Sequence, residues 1–264
     1  MSAANVQVQP ALPPPGQPWP REWWPDMTDL VTEDDTPVDN LFSEKQQRLL
    51  TEPLYNAWAG PADGFLATAN VGLFYDPKEQ PVVPDAMLSL HVQAPQDPWL
   101  KHHRSYFVWV YGKAPEVVVE VVSNREGGED SKKFDIYAKV GVQYYIIYDP
   151  EQHLKKERLR RYVLRHGQYI EQVGGWLPTI GLGLNYWEGE FEGMRQTWLR
   201  WYDQQGILLT GQESAEEADR RAAQADQRAE QERSRAEEEK QQAEQADQRA
   251  EEEKQRAKAA EAEK

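Results

Sequence analysis

Residues 115–150 read PEVVVEVVSNREGGEDSKKFDIYAKVGVQYYIIYDP, and this stretch decides the fold class. Glu116 to Val122 is dominated by β-branched residues in a nearly unbroken apolar run. Such a run marks a strand covered on both faces. A turn-like segment follows, SNREGGED, in which Asp130 can cap a helix running to about Val140. Phe134, Tyr137, Ala138 and Gly141 recur at i, i+3, i+4 and i+7, giving that helix one packing face, and Gly141 stands where a helix C-cap belongs. Gln143 to Tyr148 is a second strand, closed by Asp149-Pro150. Strand, helix and strand in this order predict an α/β domain with a mixed central sheet flanked by helices.

Working outward, Ser43 to Trp58 reads as a helix with Ser43 as N-cap and Leu49, Leu50, Leu54 and Trp58 on one face. Strands are expected over Val71 to Tyr75, Asp85 to Val92 and Tyr106 to Tyr111. Arg161 to Leu164 and Tyr169 to Val173 form a hairpin around Gly167, Tyr186 to Met194 a last strand, and Trp198 to Tyr202 a short helical turn.

Three regions follow from composition. Residues 1–40 are a Pro- and Trp-rich arm, in which Trp19, Trp23 and Trp24 are close enough together to dock on the domain. Residues 41–212 hold the core-forming residues; all 10 Trp, 12 Tyr and 6 Phe fall before residue 203. Residues 213–264 form a long charged helix. There Ala215, Ala222, Ala229, Ala236, Ala243, Ala250 and Ala257 recur every seventh position, and ADQRAE appears at both 225 and 246. That stripe fits either a homodimeric coiled coil or a single solvated helix held by ion pairs.

The net charge is −15, of which 17 acidic and 11 basic residues from Glu213 onward contribute −6, leaving −9 for the rest. So acidic a body does not bind nucleic acid through its overall field, because phosphate affinity comes largely from Lys and Arg. Local basic clusters could do so, the richest being KKERLRRYVLRH (155–166) and KHHR (101–104), which read equally as solvated hairpin and loop charges. The absence of cysteine excludes disulfides, thiolate metal sites and Cys nucleophiles. No apolar run approaches a membrane span and no signal pattern opens the chain, so a soluble cytoplasmic protein is expected.

Glu120 is the anomaly of the decisive strand. A carboxylate inside an apolar run needs a cation, a metal or a solvated face. Asp85, after Val82-Val83-Pro84, opens another apolar strand. Two carboxylates together suit Mg²⁺, which prefers hard oxygen ligands and keeps several waters. Lys133, one helical turn before Tyr137, can reach back over the end of the Glu120 strand; alone it reads equally as a solvated lysine beside Lys132. His102 and His103 lack a third ligand at zinc spacing.

The order Pro84-Asp85, Glu120-Val121-Val122-Ser123, Lys133 with Tyr137, Gly141-Val142 before Tyr145, and Asp149-Pro150 resembles the Uma2 family of restriction-endonuclease-like proteins, within the PD-(D/E)XK nuclease superfamily. The resemblance spans about residues 41–205. It implies a restriction-endonuclease-like core acting as an endonuclease on DNA, with Asp85 and Glu120 holding Mg²⁺ (or Mn²⁺) and Lys133 as the catalytic lysine. Val122 occupies the position where the superfamily motif has its lysine, so the lysine role passes to the helix. Gln143 stands where the family usually has Glu. A different class of function is a catalytically silent interaction protein that assembles through the C-terminal helix.

Overall fold

The computed structural model describes residues 17–27, 40–123 and 132–262. Its elements in chain order are α1 (Leu41–Ala57), β1 (Phe65–Thr68), β2 (Leu73–Phe74), β3 (Ala86–Leu90), β4 (Tyr106–Phe107), α2 (Val108–Tyr111), β5 (Val117–Val121), α3 (Lys132–Val140) and β6 (Tyr144–Tyr148). They continue with β7 (Leu159–Arg165), β8 (Gln168–Glu171), β9 (Trp176–Leu177), β10 (Leu182–Phe191), β11 (Met194–Tyr202) and α4 (Gly211–Ala262). By contacts the chain divides into two units, 1–211 and 212–264.

The central sheet has six strands in the order β1-β3-β5-β6-β7-β8. Only β5 and β6 run parallel, and α3 lies between them in sequence, as a parallel pair requires. Every other neighbouring pair in this sheet is antiparallel. The mixed sheet expected from residues 115–150 is therefore present.

β5 sits in the middle, and its alternation sorts its side chains between two cores. Val117, Val119 and Val121 join α1 residues Leu50 and Leu54 and the β10–β11 residues Leu184, Leu199 and Trp201. Val118 and Val122 join Tyr137, Tyr145 and Ile147 on the α3 side. Both faces are covered, which is why the sequence shows no polar alternation. Each fully buried valine contributes about 1.5–3 kcal/mol of apolar burial.

Several expected boundaries shift. α1 starts at Leu41, and Asn40, not Ser43, is the cap: its side chain accepts from the Ser43 amide at 2.9 Å. Tyr106 to Tyr111 is not one strand. Two residues pair with β2, then one helical turn closes on Gly112 at φ 79°. A Cβ there would lie 2.4 Å from the Gln17 carbonyl carbon, so the arm itself requires glycine. Trp19 and Trp24 pack on Phe74, Phe107 and Trp109, and the Trp19 amide donates to the Trp109 carbonyl.

The last part of the domain also differs. Tyr186 to Phe191 is strand as expected, the end of β10, but Met194 already belongs to β11. Trp198 to Tyr202 is not a helical turn but part of β11, and β10 and β11 form one hairpin with Phe191 opposite Met194. Its turn residues Glu192 and Gly193 both have positive φ, 47° and 76°, matching the strand twist. Trp198 to Trp201 are buried on both faces, which hid the strand period. Asp130 lies outside the described residues. The C-terminal helix is continuous over Gly211–Ala262, and none of its residues with a described side chain is buried. Among the described residues no helix is long and apolar enough to cross a membrane.

Candidate active site

Asp85 is the residue before β3, and β3 runs antiparallel to β5 with Ala86 opposite Val119. This register lays the Asp85 carboxylate against the carboxyl end of β5. Its Oδ2 accepts from the Val121 amide at 2.6 Å. Its Oδ1 accepts from Gln47 Nε2 of α1 at 3.2 Å, and Gln47 Oε1 in turn accepts from Asn70 Nδ2 at 3.1 Å. The carboxylate is thus oriented by one backbone and one side-chain donor.

Glu120 belongs to the α3 face of β5 and is 1% exposed. Two α3 residues one turn apart meet it. Lys133 Nζ donates to Oε2 at 2.7 Å, and the Tyr137 hydroxyl donates to Oε1 at 2.6 Å. Lys133 spans the boundary between inside and outside: its side chain is 24% exposed, and it lines an open groove of about 640 Å³ together with Lys132, Lys139, Tyr75 and Val83. The fold brings Asp85, Glu120 and Lys133 together at one strand end.

Burial disfavours the charged form of Glu120, and the neighbouring Asp85 charge adds to this. Lys133 and the Tyr137 hydroxyl act in the opposite sense. The balance pushes the carboxyl up to about 8. Burial, and then the same carboxylate, push the Tyr137 hydroxyl well above its ordinary value, so it stays a donor.

The Uma2 family model, described as putative restriction endonuclease, matches residues 34–189, more than half of the 264-residue chain. The chain belongs to the Uma2 family. No curated protein matches it. The matched span holds Gln47, Asp85, Glu120, Lys133 and Tyr137, and the six-stranded mixed sheet with its flanking helices is restriction-endonuclease-like. Family membership places this chain, at the coarse level, among nucleases of the restriction-endonuclease type.

The donor set of this Uma2 site suits a hard divalent cation. Asp85 and Glu120 offer only oxygen donors. Among the described residues no cluster of three or more His, Cys, Asp or Glu forms; a cation held by Asp85 and Glu120 would draw its remaining ligands from water and substrate. That division matches Mg²⁺ better than zinc. A cation there would also offset the repulsion between the two carboxylates.

The basic segments separate by position. In 155–166, Lys155, Lys156 and Arg158 are exposed, whereas Arg160 is 4% exposed. Arg160 pairs with Ile147, and Ile147 pairs with Glu120, so the buried Arg160 stands on the same sheet face as Glu120, its backbone two strands or about 10 Å away. Arg161 donates to the Leu184 carbonyl at 3.1 Å and ties the sheet to β10. In 101–104, His102 packs its ring on Trp24 and on His103.

Sequence reasoning missed Gln47 and Asn70, and valued Tyr137 only for packing. Polar residues of α1 and of a loop carry no chemical motif. One signal was present: Gln46 and Gln47 interrupt the apolar face formed by Leu49, Leu50 and Leu54, and both are buried.

Proposed function

We propose that this Uma2 protein is a Mg²⁺-dependent endodeoxyribonuclease that hydrolyses DNA phosphodiester bonds, with Mn²⁺ able to replace Mg²⁺ and with 41–212 as the nuclease domain. The observation that carries this reading is the contact of Lys133 with Glu120 beside Asp85, at one strand end and on the rim of an open groove.

Asp85 and Glu120 would hold the cation, which when bound supplies Lewis acidity toward a phosphoryl oxygen and lowers the pKa of a water in its shell. Gln47 and the Val121 amide fix the Asp85 carboxylate, and Tyr137 fixes Oε1 of Glu120, so neither acid has to reorganise when the substrate arrives. Lys133, with its ammonium between Glu120 and the groove, orients the attacking water or donates to the phosphate as negative charge builds. Three lysines, Lys132, Lys133 and Lys139, outnumber the two acids Glu79 and Asp135 on the groove lining, a small local positive balance on a body that is acidic overall.

The test is cleavage of supercoiled and linear DNA by the purified full chain in Mg²⁺, Mn²⁺ or EDTA. Nicking or cutting is expected with either metal, and its absence in Glu120→Gln and Lys133→Met. Metal-dependent cleavage by the wild type that persists in both variants would move the active site elsewhere. No metal-dependent cleavage by the wild type on any DNA form would remove the activity itself.

A further inference from the structure

A second cavity, of about 410 Å³, opens beyond the carboxyl end of β5, the strand that carries Glu120. It is bounded by the amino end of α1 (Asn40, Ser43), by Ser123 just beyond β5, and by His153, Arg158 and Gln196. We infer that this cavity takes a phosphodiester of the DNA strand next to the one being cut; the inference rests on the nuclease reading above.

Four observations lead there. First, Ser43 is 2% exposed, yet its Oγ has no hydrogen-bond partner among the described residues. A buried hydroxyl in that state needs an acceptor, and a phosphoryl oxygen is one. Second, α1 is 17 residues long and its amino end bounds the cavity. The Asn40 side chain and carbonyl serve the Ser43 and Glu44 amides, while the Leu41 and Phe42 amides lie in the first turn, which has no intrahelical acceptors.

Third, the wall carries an exposed guanidinium that can meet an anion, and the one acid among its lining residues has a partner. Arg158 is exposed there, and Glu151 pairs with His153 at 3.0 Å. Fourth, the position is set by α1 itself. Ser43 and Gln47 are both buried and one turn apart, about 6 Å along the axis, which is about one nucleotide step. Gln47 holds Asp85 and Ser43 bounds the cavity. Lys133 bounds the 640 Å³ groove. A strand that enters by the groove and crosses the carboxylates therefore has its next phosphate at the amino end of α1.

The test uses the full chain, with inorganic phosphate and a short DNA duplex as probes. Amide shifts of Leu41, Phe42 and Ser43 are followed by NMR, duplex affinity is measured across a salt series, and cleavage is assayed in parallel. Both probes are expected to move the three amides. Ser43→Ala should weaken duplex binding about tenfold, the loss of one hydrogen bond to a charged acceptor. Arg158→Gln, a surface change that leaves the core intact, should lower the slope of log affinity on log salt by about one.

A wild type that cleaves DNA in a Glu120-dependent manner while these amides stay still would overturn the subsite and leave the nuclease reading standing. An unchanged salt slope in Arg158→Gln would also overturn it. Amides that respond to phosphate in a chain that neither binds nor cuts DNA would overturn the strand assignment together with the nuclease reading, and the cavity would then be a site for free phosphate.

Discussion

Lys133 Nζ lies 2.7 Å from Glu120 Oε2, although the residues are thirteen apart in sequence and belong to different elements. The lysine comes from the first turn of the helix that follows the acidic strand, and Tyr137, one turn on, takes the other oxygen of the same carboxylate. One helix face thus organises both oxygens of a buried acid.

Lys133 faces both the buried Glu120 carboxyl and the open groove, so its loss should be read in turnover as well as in stability. Lys133→Met is expected to lower kcat for DNA cleavage about 100- to 1,000-fold, the range for removing one donor to developing charge. KM should change little, while in metal-free buffer the melting temperature should fall, because Oε2 of the buried Glu120 carboxyl loses this donor. A KM effect alone would assign the lysine to substrate binding.

Removing the Tyr137 hydroxyl should act on stability. Tyr137→Phe leaves Oε1 of a fully buried carboxyl without this donor, at about 1–3 kcal/mol. Denaturant unfolding in EDTA would read it; equal stability of the two proteins would show that Oε1 finds another donor.

The Glu120 carboxyl also gives a signed pH dependence. Its ordinary value is 4.5, and in the fold it is pushed up to about 8. Between these values the folded chain keeps a proton that the unfolded chain releases. The stability this contributes is fully present below about pH 4.5 and is lost as pH rises through about 8. In metal-free buffer the wild type should lose on the order of a few kcal/mol relative to Glu120→Gln over that window. Parallel stability curves for the two proteins would contradict the raised value.

Mg²⁺ should raise the melting temperature of the wild type and not of Asp85→Asn or Glu120→Gln, because a ligand that binds only the folded state stabilises it by mass action. Gln47→Ala, which removes a donor to Asp85, should raise the Mg²⁺ concentration for half-maximal cleavage about 10- to 100-fold, with recovery at high metal. A Gln47→Ala defect that metal does not rescue would place Gln47 outside metal binding.

Among the described residues, all the buried hydrophobic ones lie at or before Leu208. A chain ending at residue 212 should therefore melt within about 2 °C of the full chain, whereas losing even 1 kcal/mol would shift a domain of this size by about 2–4 °C. Sedimentation of the intact chain over a range of concentrations examines the alanine stripe: a mass that rises with concentration indicates pairing of α4, and a constant monomer indicates a solvated helix.

Much of this was legible in the sequence because it is local or periodic. Val117 to Val122 announced a strand buried on both faces, and Phe134, Tyr137 and Gly141 announced a helix with a defined inner side and end. Glu120 stood out because an ionisable group in such a run needs a partner. What was misread lay where burial on both faces erased the period, as at Trp198 to Trp201, or where another segment set the conformation, as the Gln17–Pro18 backbone does at Gly112.

The sequence by itself therefore determined the class of fold, the strand that carries the acid and the helix that follows it, since these depend on side-chain period and on the placement of charge in apolar runs. Tertiary structure alone decided that Asp85 meets the end of β5, that Gln47 of α1 orients it, that Arg160 turns inward, and which oxygen of Glu120 each α3 residue takes. These follow from strand order and register across the sheet, and from how α1 and α3 pack on it, which no local pattern encodes.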